Sequence, residues 1–251
     1  MTSPFTDRRR LVGDAYAGPS KLSARQDLYR FRRSGPDFHD RLMDAVDWAG
    51  ARTVLDLGCG NAIYLDRVLA RLPAGASVVG LDLSPGMLAA AGHPAGRVVA
   101  DVQTLPVRDG AADMVLALHM LYHVPDPARA VRELRRVTRA GGTVVISTNG
   151  ARHTAELMSL GDTRVLRGTT ILPLDRAEEL ATGVFDFVER HEFPDELVVT
   201  EAEPLVAYLQ STISLGGDPA AMATAAERVR ERVARDGSLT VTVEPGALVC
   251  R

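Results

Sequence analysis

The sequence lacks most of the features that mark secreted, membrane-bound or nucleic-acid-binding proteins. It has two cysteines, Cys59 and Cys250, in 251 residues. They match no metal-ligand spacing and no disulfide framework, so a reducing compartment and no bound metal are expected. Aromatic residues are only 5% of the chain, so nothing marks a face on which RNA bases would stack. The formal charge of −3 leaves no net basic field for nucleic acid. Arg8-Arg9-Arg10 is the basic cluster near a terminus and reads as a solvated tail. The segment opening Met1-Thr2-Ser3-Pro4 has no apolar core of a signal peptide. No stretch approaches the ~20 apolar residues that span a bilayer. These absences predict a cytoplasmic monomer or homodimer with neither a membrane nor a nucleic-acid partner.

What is present is organised around Thr53-Val54-Leu55-Asp56-Leu57-Gly58-Cys59-Gly60. Apolar residues flank one acid, two glycines end the run, and a helical pattern begins at Ile63. The reading is a buried strand turning sharply into a helix, the place where open α/β sheets bind ligands. Gly58 and Gly60 allow a ligand to lie against bare backbone.

The chain alternates from there. A second buried strand is predicted at Val78–Leu83 and further strands at Arg97–Asp101, Asp113–Leu118 and Thr143–Ser147, with helices between them. Alternation of this kind implies right-handed βαβ units and a mostly parallel sheet. Residues 1–49 are predicted to hold an N-terminal helical lid, with a helix capped by Asp37 and faced by Phe38, Leu42 and Val46. Residues 50–150 form the binding core, 151–236 a mixed helical cap, and 237–251 the final strands, read as a hairpin about Glu244-Pro245-Gly246.

Three acids fall near carboxyl ends of predicted strands. Asp82 can accept two hydrogen bonds from a ribose, or it can cap the Ser84-Pro85 turn. Asp101 can accept from an exocyclic amine while the Val102 N–H donates to a ring nitrogen, which together would recognise adenine; Asp101 can equally be a turn residue. Leu83 and Met87 offer apolar cover for a purine or ordinary core packing. The implied ligand is an adenosine. A dinucleotide site would want a third glycine, and Ile63 stands there instead.

These residues resemble the motifs of class I S-adenosylmethionine-dependent methyltransferases. Val54 through Gly60 resembles the first motif, Asp82-Leu83-Ser84 with Met87 the acidic second, and Asp101 through Pro106 the third. Asp113 through Asp126, ending His123-Val124-Pro125-Asp126, resembles the fourth, and Gly141-Gly142-Thr143 the fifth. The subgroup resembled is the ubiquinone/menaquinone-biosynthesis-like, type 11, small-molecule enzymes. The resemblance covers about residues 50–150. It implies a Rossmann-like α/β fold: a seven-stranded, mostly parallel sheet with an antiparallel last strand, helices on both faces and a cap after the fifth strand. It implies S-adenosyl-L-methionine as cofactor, with S-adenosyl-L-homocysteine as product. Gly58 and Gly60 would lie under the methionine part, with Asp56 and Cys59 of the same motif also cofactor-binding, Asp82 on the ribose, and Asp101 with Val102 on the adenine. The backbone of Leu118 and the side chain of His123 would sit near the methionine end, and Tyr16 and Arg25 would close over it from the lid. The cofactor carboxylate could use the helix N-terminus expected after Gly60.

Methyl transfer needs a nucleophile held in line with the methyl–sulfur bond, and a base where the nucleophile has a proton to lose. The candidates are His119, His123 and Asn149, with His153 facing the same region. Tyr122 reads as wall; His39, His93 and His191 read as surface or packing residues. The expected acceptor is a small molecule, plausibly a secondary metabolite. The competing readings are a nicotinamide-dependent oxidoreductase and a non-catalytic S-adenosylmethionine-binding module.

Overall fold

Val54 to Leu57 are buried along the strand β1 (Thr53–Leu57), as a parallel strand covered on both faces must be. The computed structural model describes residues 4–33, 35–91, 96–160, 172–213 and 218–251; His93 lies outside them. The strands β2 (Ser77–Asp82), β3 (Gly96–Val99), β4 (Ala112–Leu118) and β5 (Thr138–Asn149) follow in alternation with helices. Local chemistry fixes the helix starts. Ser84 Oγ accepts from the Met87 amide at 3.2 Å to open Pro85–Ala90, and the Asp126 carboxylate accepts from the Arg129 amide at 2.9 Å to open Pro127–Val137. Ala130, Val131, Leu134 and Val137 form the buried stripe of that second helix.

Four more strands, β6 (Val188–Glu192), β7 (Asp195–Val199), β8 (Leu239–Val243) and β9 (Pro245–Cys250), complete two sheets. The main sheet has seven strands in the order β3-β2-β1-β4-β5-β9-β6, and β7 pairs with β8 apart from it. β1 pairs in parallel with both β2 and β4, and β9 runs antiparallel to β5 and β6. The connections leave β1 in opposite directions, so the carboxyl ends of β1 and β4 bound a crevice at the switch point of the sheet. Leu55, Val115, Val144 and Ile146 pack on one face with the helices Pro127–Val137 and Leu174–Thr182. Val54, Leu116, Val145 and Val249 pack on the other with Phe38, Leu42 and Leu65.

The structure departs from the expected elements in two places. The helix after Gly60 begins only at Leu65 and ends at Leu69. Ala62, in the left-handed region at φ 62°, delays it. The cofactor carboxylate therefore has no helix N-terminus directly after Gly60, and that expectation is corrected. The hairpin expected over 238–250 does not form. β8 and β9 are the two halves of one strand of a long antiparallel ribbon whose other strand is β6 and β7. The Phe193 amide donates to the Pro245 carbonyl at 2.9 Å between the halves. Pro194 and Pro245 have no N–H for the ladder, and the ribbon leaves the main sheet at that point.

The described residues of 151–236 divide between two cores. β6 and the helix Leu174–Thr182 belong to the main sheet and its core. A second core joins Leu157, Leu197, Val199 and Val241 to the helices Ala202–Ile213 and Pro219–Asp236, and it takes in Leu28 from the N-terminal region.

Candidate functional site

The two glycines are required by geometry. Gly58 lies at φ +69°, and a Cβ on it would stand 2.7 Å from the Met120 Cβ; Gly60 lies at φ +54°. The Gly58 amide donates to the Leu81 carbonyl at 2.6 Å, tying the turn to the end of β2. Next to it, both oxygens of Asp82 are engaged: Oδ2 accepts from the Gly60 amide at 2.9 Å and Oδ1 from the Ser84 amide at 2.8 Å. Asp82 is thus a brace for both turns, and each oxygen keeps lone-pair capacity toward the cavity. Burial pushes its carboxyl above the usual range, against the pull of those amides.

Asp56 is buried on β1 beneath this turn, and burial together with the Asp82 charge raises it to about 7. Cys59 tucks its thiol under the sheet; a Cβ on Gly80 would meet its Sγ at 2.8 Å. Burial pushes that thiol well up, so it stays protonated. Asp101 lies just beyond β3, where its Oδ1 accepts from the Gln103 amide at 2.9 Å and opens the short 3₁₀ turn Val102–Thr104.

The N-terminal region covers the crevice. Tyr16 O–H donates to His123 Nε2 at 2.7 Å, and His123 Nδ1 donates to the Phe5 carbonyl at 3.0 Å. A carbonyl can only accept, so Nδ1 carries the proton and Nε2 is the acceptor. The Ser84 hydroxyl donates to the Tyr16 carbonyl at 2.6 Å. A Cβ on Gly86 would stand 2.0 Å from the Ala17 carbonyl oxygen, so only glycine lets the segment land on the helix Pro85–Ala90.

Tyr16, Arg25, Asp56, Gly58, Cys59, Gly60, Asp82, Leu83, Asp101, Val102 and Leu118 line a single cavity of about 270 Å³, as do His119, His123 and Asn149. Met87 is the exception. It is fully buried and packs behind the turn, its Cε 3.5 Å from where a Cβ on Gly60 would be. Tyr122 and His153 also line the wall. His39, expected at the surface or in packing, faces the cavity between Phe38 and Tyr64. The sequence reading missed Tyr29, Asn61, Tyr64 and Tyr208, which line it too. Asn61 directly follows the glycine turn, and that adjacency was the available signal. Tyr208 comes from a distant helix and carries no motif.

Three buried polar atoms at the wall have no hydrogen-bond partner among the described residues: Arg25 Nη2, Asn61 Oδ1 and Asn149 Oδ1. Arg25 Nη1 donates to the Ser211 carbonyl at 3.2 Å, and its guanidinium lies 5.2 Å from the Tyr16 ring centre. Asn61 Nδ2 donates to Gln26 Oε1 at 3.0 Å. Unpaired buried polar atoms are costly, and such an atom calls for a partner such as a water or an ion, or for a functional role.

His119, His123 and His153 are neutral. Burial lowers His119 to about 3, with His39 and His153 adding to it. Burial also lowers His123 and His153 to about 4. His119 has a left-handed backbone, φ 52°, held by its amide donating to the Ser147 carbonyl at 3.0 Å. Its ring stands edge-on to Phe38 with centres 5.2 Å apart.

Residues 55–146 match the family model described as a methyltransferase domain. A ubiquinone biosynthesis O-methyltransferase of Pseudomonas paraeruginosa is 36% identical over 124 residues, 44% of this chain and 52% of that protein. A malonyl-[acyl-carrier protein] O-methyltransferase of Dechloromonas aromatica is 29% identical over 192 residues, 65% of this chain and 71% of that one. The chain spans about half the length of most of the curated relatives it matches. Among solved structures, phosphoethanolamine N-methyltransferase 2 of Haemonchus contortus, in complex with S-adenosyl-L-methionine, superposes with a TM-score of 0.61 at 16% identity, covering 97% of this chain and 59% of that one. At that identity the likeness shows a shared fold. Among the described residues no helix is long and apolar enough to cross a membrane.

Proposed function

This chain belongs to the class I S-adenosylmethionine-dependent methyltransferase family, and from that premise we propose that it methylates a small-molecule acceptor bound in the cavity above the Gly58–Gly60 turn. The cofactor is S-adenosyl-L-methionine, and the product left behind is S-adenosyl-L-homocysteine.

The observation that carries this reading is the match between the cavity's unpaired atoms and the two ends of the cofactor's amino acid. A carboxylate needs a donor and an ammonium needs an acceptor. Arg25 Nη2 and Asn61 Oδ1 are buried, unpaired among the described residues, and on the wall of the same cavity as the glycine turn. In this assignment Asp82 receives the ribose hydroxyls, and Asp101 with the Val102 amide receives the adenine edge. Leu83 covers the ring. Met87 supports the turn from behind. Tyr16 and His123 hold the covering segment closed.

When bound, the cofactor supplies a methyl group already activated by a sulfonium. The protein's own part is to bind, orient and exclude water. The cavity, near 270 Å³, lies just below the usual range for ligand sites, roughly 300–1,000 Å³. The backbone at Leu118 and the rings of His119 and Tyr122 border the methyl end.

Isothermal calorimetry tests the reading. S-Adenosyl-L-homocysteine should bind in the micromolar range or tighter, and NADH should not. Binding of NADH alone would shift the assignment to the oxidoreductase reading. Tight binding with no methyl loss to any acceptor would shift it to a non-catalytic module.

A further inference from the structure

Four rings meet at one end of the cavity. The Phe38 ring centre lies 5.6 Å from that of His39 and 5.2 Å from that of His119, and the Tyr64 ring is 4.8 Å from the His39 ring. All four side chains line the cavity. His119 follows Leu118 at the end of β4, so this cluster stands beside the methyl end assigned above.

His39 is held from behind. Its Nδ1 stands 3.6 Å from Asp37 Oδ1, and Asp37 does not line the cavity. Nδ1 is therefore turned outward, and Nε2, on the opposite side of the ring, faces the cavity. Asp37 is itself fixed. Its Oδ1 accepts from the Asp40 amide at 2.8 Å and caps the helix Phe38–Asp44, while its Oδ2 accepts from Arg67 Nη2 at 2.9 Å. Arg67 Nε donates to Asp40 at 2.9 Å. The charged and titratable groups facing His39 are thus Asp37, Asp40 and Arg67, with His119 across Phe38. Burial lowers the His39 pKa against the pull of Asp37, so the ring is neutral. The carboxylate keeps its proton on Nδ1 and leaves Nε2 as an acceptor. A contact of 3.6 Å is long for a hydrogen bond, and contacts of this kind tighten when charge forms during reaction.

The other three histidines of the wall lack this arrangement. His123 has both nitrogens committed. His153 Nδ1 accepts from the Glu244 amide at 3.2 Å, so its Nε2 already carries the proton. The charges that reach His119 are those of His39 and His153, which repel a proton on its ring.

Resting on the methyl-transfer reading, we propose that His39 is the general base of the reaction, that Asp37 is its positioning residue, and that the acceptor is a hydroxyl compound. The acceptor O–H donates to His39 Nε2. An oxygen lone pair forms the O–CH₃ bond, the S–CH₃ pair returns to sulfur, and the O–H proton passes to Nε2. The charge lost by the sulfonium ends on an imidazolium beside the Asp37 carboxylate. The His39 side chain is 16% exposed, so the proton can leave to water afterwards. An amine could react through its free lone pair with no such base, and an ordinary C–H is too weak an acid for an imidazole.

Turnover of benzyl alcohol, phenol and 4-nitrophenol by the full chain with S-adenosyl-L-methionine tests this. Phenol needs the base, whereas 4-nitrophenol is largely ionised at pH 8. His39→Gln should lower kcat for phenol about 100-fold and for 4-nitrophenol less than about tenfold, with KM changing little. The loss on phenol should shrink as pH rises. Asp37→Asn, which still caps the helix, should lower kcat for phenol about tenfold. The product should be the ether. A second measurement needs no acceptor. Nitrogen NMR of the wild-type chain saturated with S-adenosyl-L-homocysteine should place the proton of neutral His39 on Nδ1, and Asp37→Asn should move its titration down by about one pH unit. An equal loss on phenol and 4-nitrophenol, a proton on Nε2, methylation at carbon, or methylation of amines but of no hydroxyl compound overturns the assignment. Failure to saturate with S-adenosyl-L-homocysteine, or no methyl loss to any acceptor, strikes the methyl-transfer reading itself.

Discussion

Tyr16 and His123 are joined by a 2.7 Å hydrogen bond in which the neutral imidazole accepts. Nε2 accepts from the tyrosine, and Nδ1 donates to the Phe5 carbonyl. Protonation would reverse that bond, with Nε2 donating to the hydroxyl oxygen, and would bury a charge beneath residues 5–16.

The pH dependence of stability follows. His123 has a folded-state pKa lowered to about 4 from 6.5. As pH falls below 6.5, the unfolded chain takes up a proton that the folded chain refuses. Stability is therefore present above 6.5 and lost progressively as pH falls toward 4, by up to about 3 kcal/mol for this group. His119 and His153, lowered to about 3 and 4, act in the same direction. Thermal melts from pH 8 to 4 should show a steep fall over that window and a shallower one in His123→Ala. Parallel curves for the two proteins would refute the assigned neutral imidazole.

Asp82 offers a second test. It binds two backbone amides in the free protein and is assigned to the ribose as well. Asp82→Ala should weaken S-adenosyl-L-homocysteine binding by about 1–3 kcal/mol, the range for hydrogen bonds to a charged acceptor. Asp82→Asn, which can accept from only one of the two amides, should fall between. Calorimetry that gave the same affinity for all three proteins would remove Asp82 from the ligand.

Gly86 tests the covering segment alone. A methyl on it would meet the Ala17 carbonyl at 2.0 Å, whereas a methyl on Gly13 would meet nothing within 4 Å. Gly86→Ala should expose residues 5–17 to limited proteolysis and weaken cofactor binding several-fold. Gly13→Ala should leave the segment's protection unchanged. Equal protease resistance in both variants would mean that the segment is not seated through the Ala17 contact.

The sheet was legible because its strands are continuous apolar runs ended by Gly58, Asp82 and Leu118, each near a carboxyl end facing the crevice. Local pattern was enough there. It failed where pairing is non-local: nothing in 185–200 or 238–250 states that each segment continues through a proline to pair with the other instead of folding on itself. The cofactor end was legible for the same reason as the sheet, since its residues follow strand ends. The acceptor wall was not. Tyr29 and Tyr208 come from separate helices and Tyr64 from a turn, and the second core that takes in Leu28, Leu205 and Leu209 brings the first and last together.

Asp56 supplies the last test, because its shift runs opposite to that of the histidines. Its pKa is raised to about 7 from 3.8 by burial and by the Asp82 charge. The folded state binds the proton more tightly than the unfolded chain does. Its contribution is therefore full below 3.8 and lost as pH rises through 7, a cost on the order of 4 kcal/mol above that point. Asp56→Asn keeps the shape and removes the charge. It should raise the melting temperature at pH 8 and leave it nearly unchanged at pH 4. The same charge should favour the sulfonium of S-adenosyl-L-methionine over neutral S-adenosyl-L-homocysteine, more at pH 8 than at pH 6. In Asp56→Asn the ratio of the two affinities should become independent of pH. A ratio that still varies with pH in the variant would show that another group titrates against the sulfonium.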